Sequence, residues 1–295
     1  MDEQTWLSER FEADRGRLRS VAYRLLGSLA DADDAVQEAW LRLARSDAAG
    51  IDNLSGWLTT VVSRVCLDML RARKTQREEP LGEEVHVPDP LVSRVGSLDP
   101  EQEALLADSV GLGLLVLVQT LSPAERLAFV LHDLFGVPFE QIAEIAGRSP
   151  AAAKMLASRA RHRVRGAAPS PDPDASRQRQ VVDAFFAAAR SGNFEALVAV
   201  LDPDVVLRAD GGAARPRLTT LVRGAAAVAG RALMFAQPAA RVEPVLVNGG
   251  AGVVITVGGR PTSVMNFSVS GGRIVAIDAL IDPDRLSRLD LATFD

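Results

Sequence analysis

The sequence predicts a multidomain chain in which two all-α blocks are followed by an α+β domain. Three observations carry this prediction. Apolar residues recur at helical spacing from about residue 8 to 75 and again from about 101 to 166. After residue 175 one helical stretch gives way to short runs rich in β-branched residues, separated by Asn-Gly and Gly-Gly pairs. Proline-rich segments at 77–100 and 167–175 interrupt the chain between these blocks. A length of 295 residues suits two or three domains. The expected division is 1–76, a linker at 77–100, 101–166, a linker at 167–175, and 176–295.

In the first block Phe11, Leu18, Val21, Ala22, Leu25 and Leu29 mark one helix, and Gly27 weakens it near its end. Val36, Ala39, Trp40 and Leu43 mark a second, with Asp31 as its expected N-cap. A loop around Gly50, Asn53, Ser55 and Gly56 leads to a third, marked by Trp57, Leu58, Val61, Val62, Val65, Met69 and Leu70. In the next segment Pro80, Pro88, Pro90 and Pro100 stand among Glu78, Glu79, Glu83 and Glu84, which excludes one regular element. Val85, Val87, Leu91 and Val92 still give that segment apolar side chains with which to dock.

The second block contains Ser122-Pro-Ala-Glu125, a capping box with proline at the first helical position. Phe139, Ile142, Ala143 and Ala146 make a short helix that Gly147 ends, and Ser149-Pro150 starts another. Helix, glycine turn, helix is the outline of a helix-turn-helix. In the last block a helix over about 176–190 carries Val181, Val182, Phe185 and Phe186 on one side. Strand-like runs follow at Val205–Arg208, Val242–Val247, Val253–Val257, Ser263–Val269 and Ile274–Ala279. Glycine turns separate the last four, which predicts an antiparallel meander.

Hydrophobic residues make up 47% and charged residues 24%, an ordinary globular balance. Cys66 is the single cysteine, so no internal disulfide forms and a reducing compartment fits. The first ten residues lack the apolar core of a signal peptide. The apolar stretch Val110–Leu121 is too short to span a bilayer. The expectation is a soluble, cytoplasmic chain without membrane contact.

The net charge of −5 argues against a nucleic-acid binder, but the charge is segregated. Residues 148–165 hold Arg148, Lys154, Arg159, Arg161, Arg163 and Arg165 and no acid. Arg71, Arg73, Lys74 and Arg77 form a second acid-free cluster. A phosphate backbone responds to local charge rather than to the total.

Three constellations follow. On the helix from Pro150, Ala153, Ala157, Ala160 and Val164 recur at steps of four, three and four and face inward. Ala152, Lys154, Met155, Ser158, Arg159 and His162 are then directed outward, as on a helix that enters the major groove. A solvated basic face on a helical hairpin is the plainer alternative. On the helix from Trp57, Thr60, Arg64, Leu67, Arg71 and Lys74 form an outward line, joined by Arg73 and Arg77. Pairing of Asp68 with Arg64 and Arg71 is its plainer explanation. On the acidic helix Asp33, Asp34, Gln37, Glu38 and Leu41 face out, and a leucine exposed among acids suggests a protein-binding patch.

At these three segments the sequence resembles the extracytoplasmic-function (ECF) sigma factors. Tyr23-Arg-Leu-Leu-Gly27 and Asp31-Ala-Asp-Asp-Ala-Val-Gln-Glu-Ala-Trp-Leu-Arg42 resemble sigma region 2. So does the run from Gly56 to Arg71. The resemblance implies that Asp33, Asp34, Gln37, Glu38 and Leu41 grip the beta-prime clamp of core RNA polymerase. It implies that Thr60, Arg64, Arg71, Arg73 and Lys74 meet the −10 promoter element. Leu121-Ser-Pro-Ala-Glu-Arg126, Val130-Leu-His-Asp133 and Ala157-Ser-Arg-Ala-Arg161 resemble region 4, which reads the −35 element and meets the beta flap. Met155 stands where the resemblance leads one to expect glutamine.

The last block is similar to a subgroup with a fused, cone-shaped SnoaL-like domain. Asp202-Pro-Asp-Val-Val-Leu-Arg-Ala-Asp-Gly-Gly212 carries the likeness, as does Asp282-Pro-Asp-Arg-Leu286. The subgroup's Trp-Leu-Pro-Glu-Pro linker is replaced by Val85-His-Val-Pro-Asp-Pro90, and its Asp-Gly-Gly-Gly-Lys by Asp210-Gly-Gly-Ala-Ala214. The resemblance implies regulation by intramolecular contact. Asp210, Gly211 and Gly212 are expected on one side of it, with Asp282, Pro283, Asp284, Arg285 and Leu286 nearby. A simple Asp-Gly-Gly turn is the competing reading.

An enzyme is the rival for the last block, as a small-molecule-binding or catalytic domain coupled to a DNA-binding repressor. His86, His132 and His162 all precede that block, which also lacks cysteine and tyrosine. Asp210 and Asp278 are candidate bases without an obvious partner. The chain is therefore expected not to be an enzyme, with no catalytic residue, metal or cofactor, although a small molecule remains a candidate ligand of the last domain.

Overall fold

The structure is a computed structural model that describes residues 3–46, 51–76, 85–94, 111–167, 172, 174–236, 239–289 and 291. These residues fall into two compact units. The first holds residues 3–46, 51–76 and 117–167, and the second holds 85–94, 111–116 and the described residues from 172 onward.

The first unit begins with α1 (Glu3–Leu26), α2 (Leu29–Leu43) and α3 (Leu54–Gln76). Leu18, Val21, Leu25, Val36, Ala39, Leu43, Leu58 and Val62 are buried, so the helical periodicity marks a shared core. Phe11 and Trp40 add an aromatic contact at 5.0 Å between ring centroids. Gly27 turns the chain with φ 73°. The cap of α2 is Ser28, whose side chain accepts from the Asp31 N–H, rather than Asp31 as expected. Asp31 sits in the first turn of α2 and pairs with Arg73 of α3. Leu67 is 1% exposed, so it belongs to the core and not to the outward line of α3.

The helices α5 (Pro123–Phe129), α6 (Phe139–Ala146) and α7 (Pro150–Ala167) follow, after α4 (Leu112–Gln119), of which residues 112–116 belong to the second unit. The Ser122/Glu125 capping box forms in both directions. A π turn, Val130–Leu134, continues α5. Gly147 ends α6 in the left-handed region at φ 65°, and Ser149 caps α7 through the Ala152 N–H at 3.2 Å. Ala153, Ala157 and Ala160 are fully buried, which lets α7 lie close against α5 and α6.

The second unit is an α+β domain. Among the described residues it holds one seven-stranded sheet, in the order β1-β4-β5-β6-β7-β2-β3. The strands are β1 (Val92–Ser93), β2 (Leu201–Asp210), β3 (Thr220–Arg223), β4 (Ala240–Val247), β5 (Gly250–Val257), β6 (Arg260–Ser270) and β7 (Arg273–Leu280). The expected antiparallel meander is β4 to β7. β2 joins β7 in parallel, with Arg208 beside Asp278. β1 comes from the proline-rich segment and pairs with β4, Val92 against Val247. The helices α8 (Ala175–Arg190), α9 (Phe194–Val200) and α10 (Ala225–Phe235) cover one face. There Phe185, Leu207, Val253, Phe267 and Ile277 form the core. A short helix, α11 (Pro283–Leu286), follows β7.

Candidate nucleic-acid and protein interfaces

The face of α7 opposite its buried alanines carries Lys154, Met155, Ser158, Arg159 and His162, all exposed, with Ala152 half-buried at its margin. Two other arginines of this helix form ion pairs with residues of the same unit. Arg161 pairs with Asp133 at 2.8 Å, and Arg163 with Glu125 at 2.9 Å. Burial pushes the Glu125 carboxyl up, but hydrogen bonds from Ser122 and the charges of Arg163 and Arg159 bring it below the ordinary range. The basic run therefore divides by role. Lys154 and Arg159 stand in solvent, Arg161 pairs with Asp133 of the π turn, and the exposed Arg163 reaches back to Glu125 of α5.

On α3, Arg64, Arg71 and Lys74 are exposed. Arg71 lies 3.6 Å from Asp68, the pairing that spacing allows. Arg73 is engaged within the fold, donating to Asp31 and to the Leu26 carbonyl. Thr60 is half-buried because Gln141 of α6 reaches it, and Arg64 donates to the Glu144 carbonyl at 3.4 Å. Arg126, 7% exposed, donates to the Leu25 carbonyl at 3.1 Å and to Gln119 Oε1 at 2.6 Å. The two helical blocks thus meet through α3 and α6 and at the C-terminal end of α1. Arg77 and the acids Glu78, Glu79, Glu83 and Glu84 lie outside the described residues.

On α2, Asp33, Asp34, Gln37 and Leu41 are exposed, and Glu38 is half-buried. Asp33 pairs with Arg19 at 2.6 Å and Glu38 with Arg42 at 2.9 Å. Leu41, 39% exposed, stands beyond these pairs as an apolar point on a charged face.

The second unit gathers residues that are far apart in the chain. Asp210 ends β2, and its Oδ2 accepts from the Val87 N–H at 2.9 Å and from Arg285 Nη1 at 2.9 Å. His86 Nδ1 lies 3.3 Å from the same oxygen. Arg285 also donates to Asp89 Oδ1 at 2.7 Å and to the Val87 carbonyl at 2.6 Å. The other Asp210 oxygen accepts from Gly212 N–H at 3.0 Å. Asp210 therefore makes the Asp-Gly-Gly turn and holds the 85–94 segment at once.

The local sequence explains the aim of these groups. Gly212 has φ 58°, and a Cβ there would meet Asp282 Oδ2 at 1.8 Å. Asp282 caps α11 through the Asp284 and Arg285 N–H groups, which fixes the base of the Arg285 side chain. Asn248 exchanges two bonds with Leu91, at 2.8 and 3.1 Å. Val87 is fully buried and Leu91 is 6% exposed. Burial pushes the Asp210 carboxyl up, but the hydrogen bonds from His86 and Val87 and the charges of His86 and Arg285 outweigh it and hold it at about 2. The contributions of His86, Asp89 and Asn248 were not legible in the sequence beyond the docking expected of Val85, Val87 and Leu91.

The chain matches two family models, Sigma-70 region 2 over residues 10–76 and Sigma-70, region 4 over 112–164. It is 44% identical to the ECF RNA polymerase sigma factor SigJ of Mycobacterium tuberculosis over 216 residues, covering 72% of this chain and 68% of that one. With SigI of the same species it is 33% identical over 290 residues, 98% of each chain.

The chain belongs to the ECF sigma factors of RNA polymerase.

The crystal structure of SigJ superposes on this sigma factor with a TM-score of 0.76 and 35% identity, covering 96% of this chain and 99% of that one. The expected fold class, helical sigma blocks followed by an α+β domain, is therefore the observed one. As a member of this family the sigma factor directs transcription initiation and is not an enzyme. Among the described residues no helix is long and apolar enough to cross a membrane.

Asp278, weighed as a base on sequence grounds, is fully buried in this sigma factor. Its Oδ1 accepts from Arg208 at 3.1 Å. Burial is the largest influence and pushes its carboxyl up, against the opposing effects of Arg208 and Asn266. Arg208, Asp278 and Asn266 occupy matching register positions on β2, β7 and β6, which makes them a cross-strand polar row.

Proposed function

We propose that this sigma factor uses three separate faces on polymerase and promoter, and that its C-terminal domain controls them by holding the 85–94 segment. Asp33, Asp34, Gln37, Glu38 and Leu41 of α2 take the beta-prime clamp. Thr60, Arg64, Arg71, Arg73 and Lys74 of α3 serve the −10 element, with Arg73 acting through its grip on Asp31. Ala152, Lys154, Met155, Ser158, Arg159 and His162 of α7 take the −35 element, and the region 4 block contacts the beta flap.

The observation that carries the regulatory reading is the Asp210–Arg285 clasp on Val87 and Asp89. The chain between the two sigma blocks is thereby tied to the C-terminal domain. Such a tethered contact acts at high effective concentration, so a modest intrinsic affinity suffices. Reconstituted transcription tests the proposal. Cutting the chain after Arg165, and separately Asp210→Ala, should each change promoter output with core polymerase. Equal output, core affinity and promoter choice in all three proteins would reject it.

A further inference from the structure

The outward line of α7 has an unexpected chemistry for a helix that reads DNA. Opposite the buried Ala153, Ala157, Ala160 and Val164, at the same steps of four, three and four, stand Ala151, Met155, Ser158 and His162. Met155 is 55% exposed, more than Leu41, the other large apolar side chain exposed in the first unit among the described residues. Exposed cations lie to the sides of this line, Lys154 on one flank and Arg159 on the other. Arg161 and Arg163 are held by Asp133 and Glu125. No guanidinium or carboxamide occupies the line. Those are the groups that pair bidentately with the edges of guanine and adenine.

An apolar centre between cationic flanks matches one feature of the major groove, the C5-methyl of thymine. We infer that Met155 is a specificity-determining residue that reads a thymine methyl in the upstream promoter element. The inference rests on the reading of α7 as the recognition helix. Lys154 and Arg159 position the helix on phosphates along the two groove walls. Ala151 adds no bulk in the first turn, which leaves Met155 as the large exposed apolar side chain of the line. Its unbranched, polarizable stem suits contact with a methyl group, and the contact removes apolar surface from water on both partners.

The test uses holoenzyme formed from the full chain and core polymerase. A promoter is first selected from a library randomised over the upstream element. Each thymine of that element is then replaced by uracil, which removes the methyl group alone. At one or two positions uracil should weaken binding about three- to fourfold, the worth of burying one methyl. Met155→Ala should bind thymine and uracil promoters equally, and Met155→Leu should keep the preference. A selected element without thymine, no uracil effect in the native chain, or an undiminished effect in Met155→Ala overturns the inference. Unchanged affinity and salt dependence in both Lys154→Ala and Arg159→Ala would instead remove the recognition-helix reading beneath it.

Discussion

Gln141 of α6 donates from Nε2 to Thr60 Oγ1 of α3 at 3.0 Å, and the same nitrogen donates to the Gly56 carbonyl at 3.0 Å. Region 4 thereby covers part of the α3 face that is proposed to meet the −10 element. Net hydrogen bonds of this kind contribute about 0.5–1.5 kcal/mol each. The two bonds together are worth about 1–3 kcal/mol, so Gln141→Ala should raise the affinity of the free chain for single-stranded −10 DNA by about fivefold or more. Fluorescence anisotropy with a labelled oligonucleotide reads this directly. An unaltered affinity would show that the contact does not compete with DNA.

The clasp on the 85–94 segment predicts a local opening. Arg285 bridges Asp89 and Asp210 within a largely buried site, so Arg285→Ala leaves two carboxylates without their shared cation. Removing one partner of a buried pair costs about 3–5 kcal/mol. Hydrogen exchange at the Val87 amide should accelerate at least a hundredfold, while exchange in α5 stays unchanged. Slow Val87 exchange in the variant would mean that burial of Val87 and Leu91 holds the segment without the clasp.

The pH dependence of stability separates two buried aspartates. Asp210 is depressed to about 2 in the folded chain. Its contribution is present above its unfolded value and is lost as pH falls through about 2, amounting to about 2 kcal/mol. Asp210→Asn should flatten this part of the acid limb in chemical denaturation series. Asp278 is raised by burial, so its sign is opposite. Its folded form favours the proton, and stability is lost as pH rises from the unfolded value through the folded one. Asp278→Asn should remove that second slope, and a persistent slope would assign it to another group.

The divided roles of the α7 arginines predict distinct losses. Lys154→Ala and Arg159→Ala should each lower the salt slope of promoter binding by about 1 without changing stability. Arg161→Ala should instead lower stability, because Asp133 then loses its partner. Thermal denaturation beside a salt titration distinguishes them. A salt-slope loss in Arg161→Ala equal to that in Arg159→Ala would show that the ion pair opens on DNA.

The features that residue spacing fixes in this chain are local. The helical repeat set the buried alanines of α7, Ser122 and Glu125 set the start of α5, and glycine pairs set the meander β4 to β7. Each depends on residues a few positions apart, whose spacing fixes a face or a turn before any long contact forms. The tertiary structure decided the rest. Leu67 lies on the outward line by spacing, yet α3 packs against neighbours on more than one side and buries it. Arg73 belongs to a basic run by composition, yet Asp31, 42 positions away, holds it. Asp210 reads as a turn residue, yet Val87, 123 positions before it, donates to its carboxylate. Periodicity carries no record of such partners, because the energy of a carboxylate or guanidinium depends on which charges and N–H groups folding brings within about 3 Å of it.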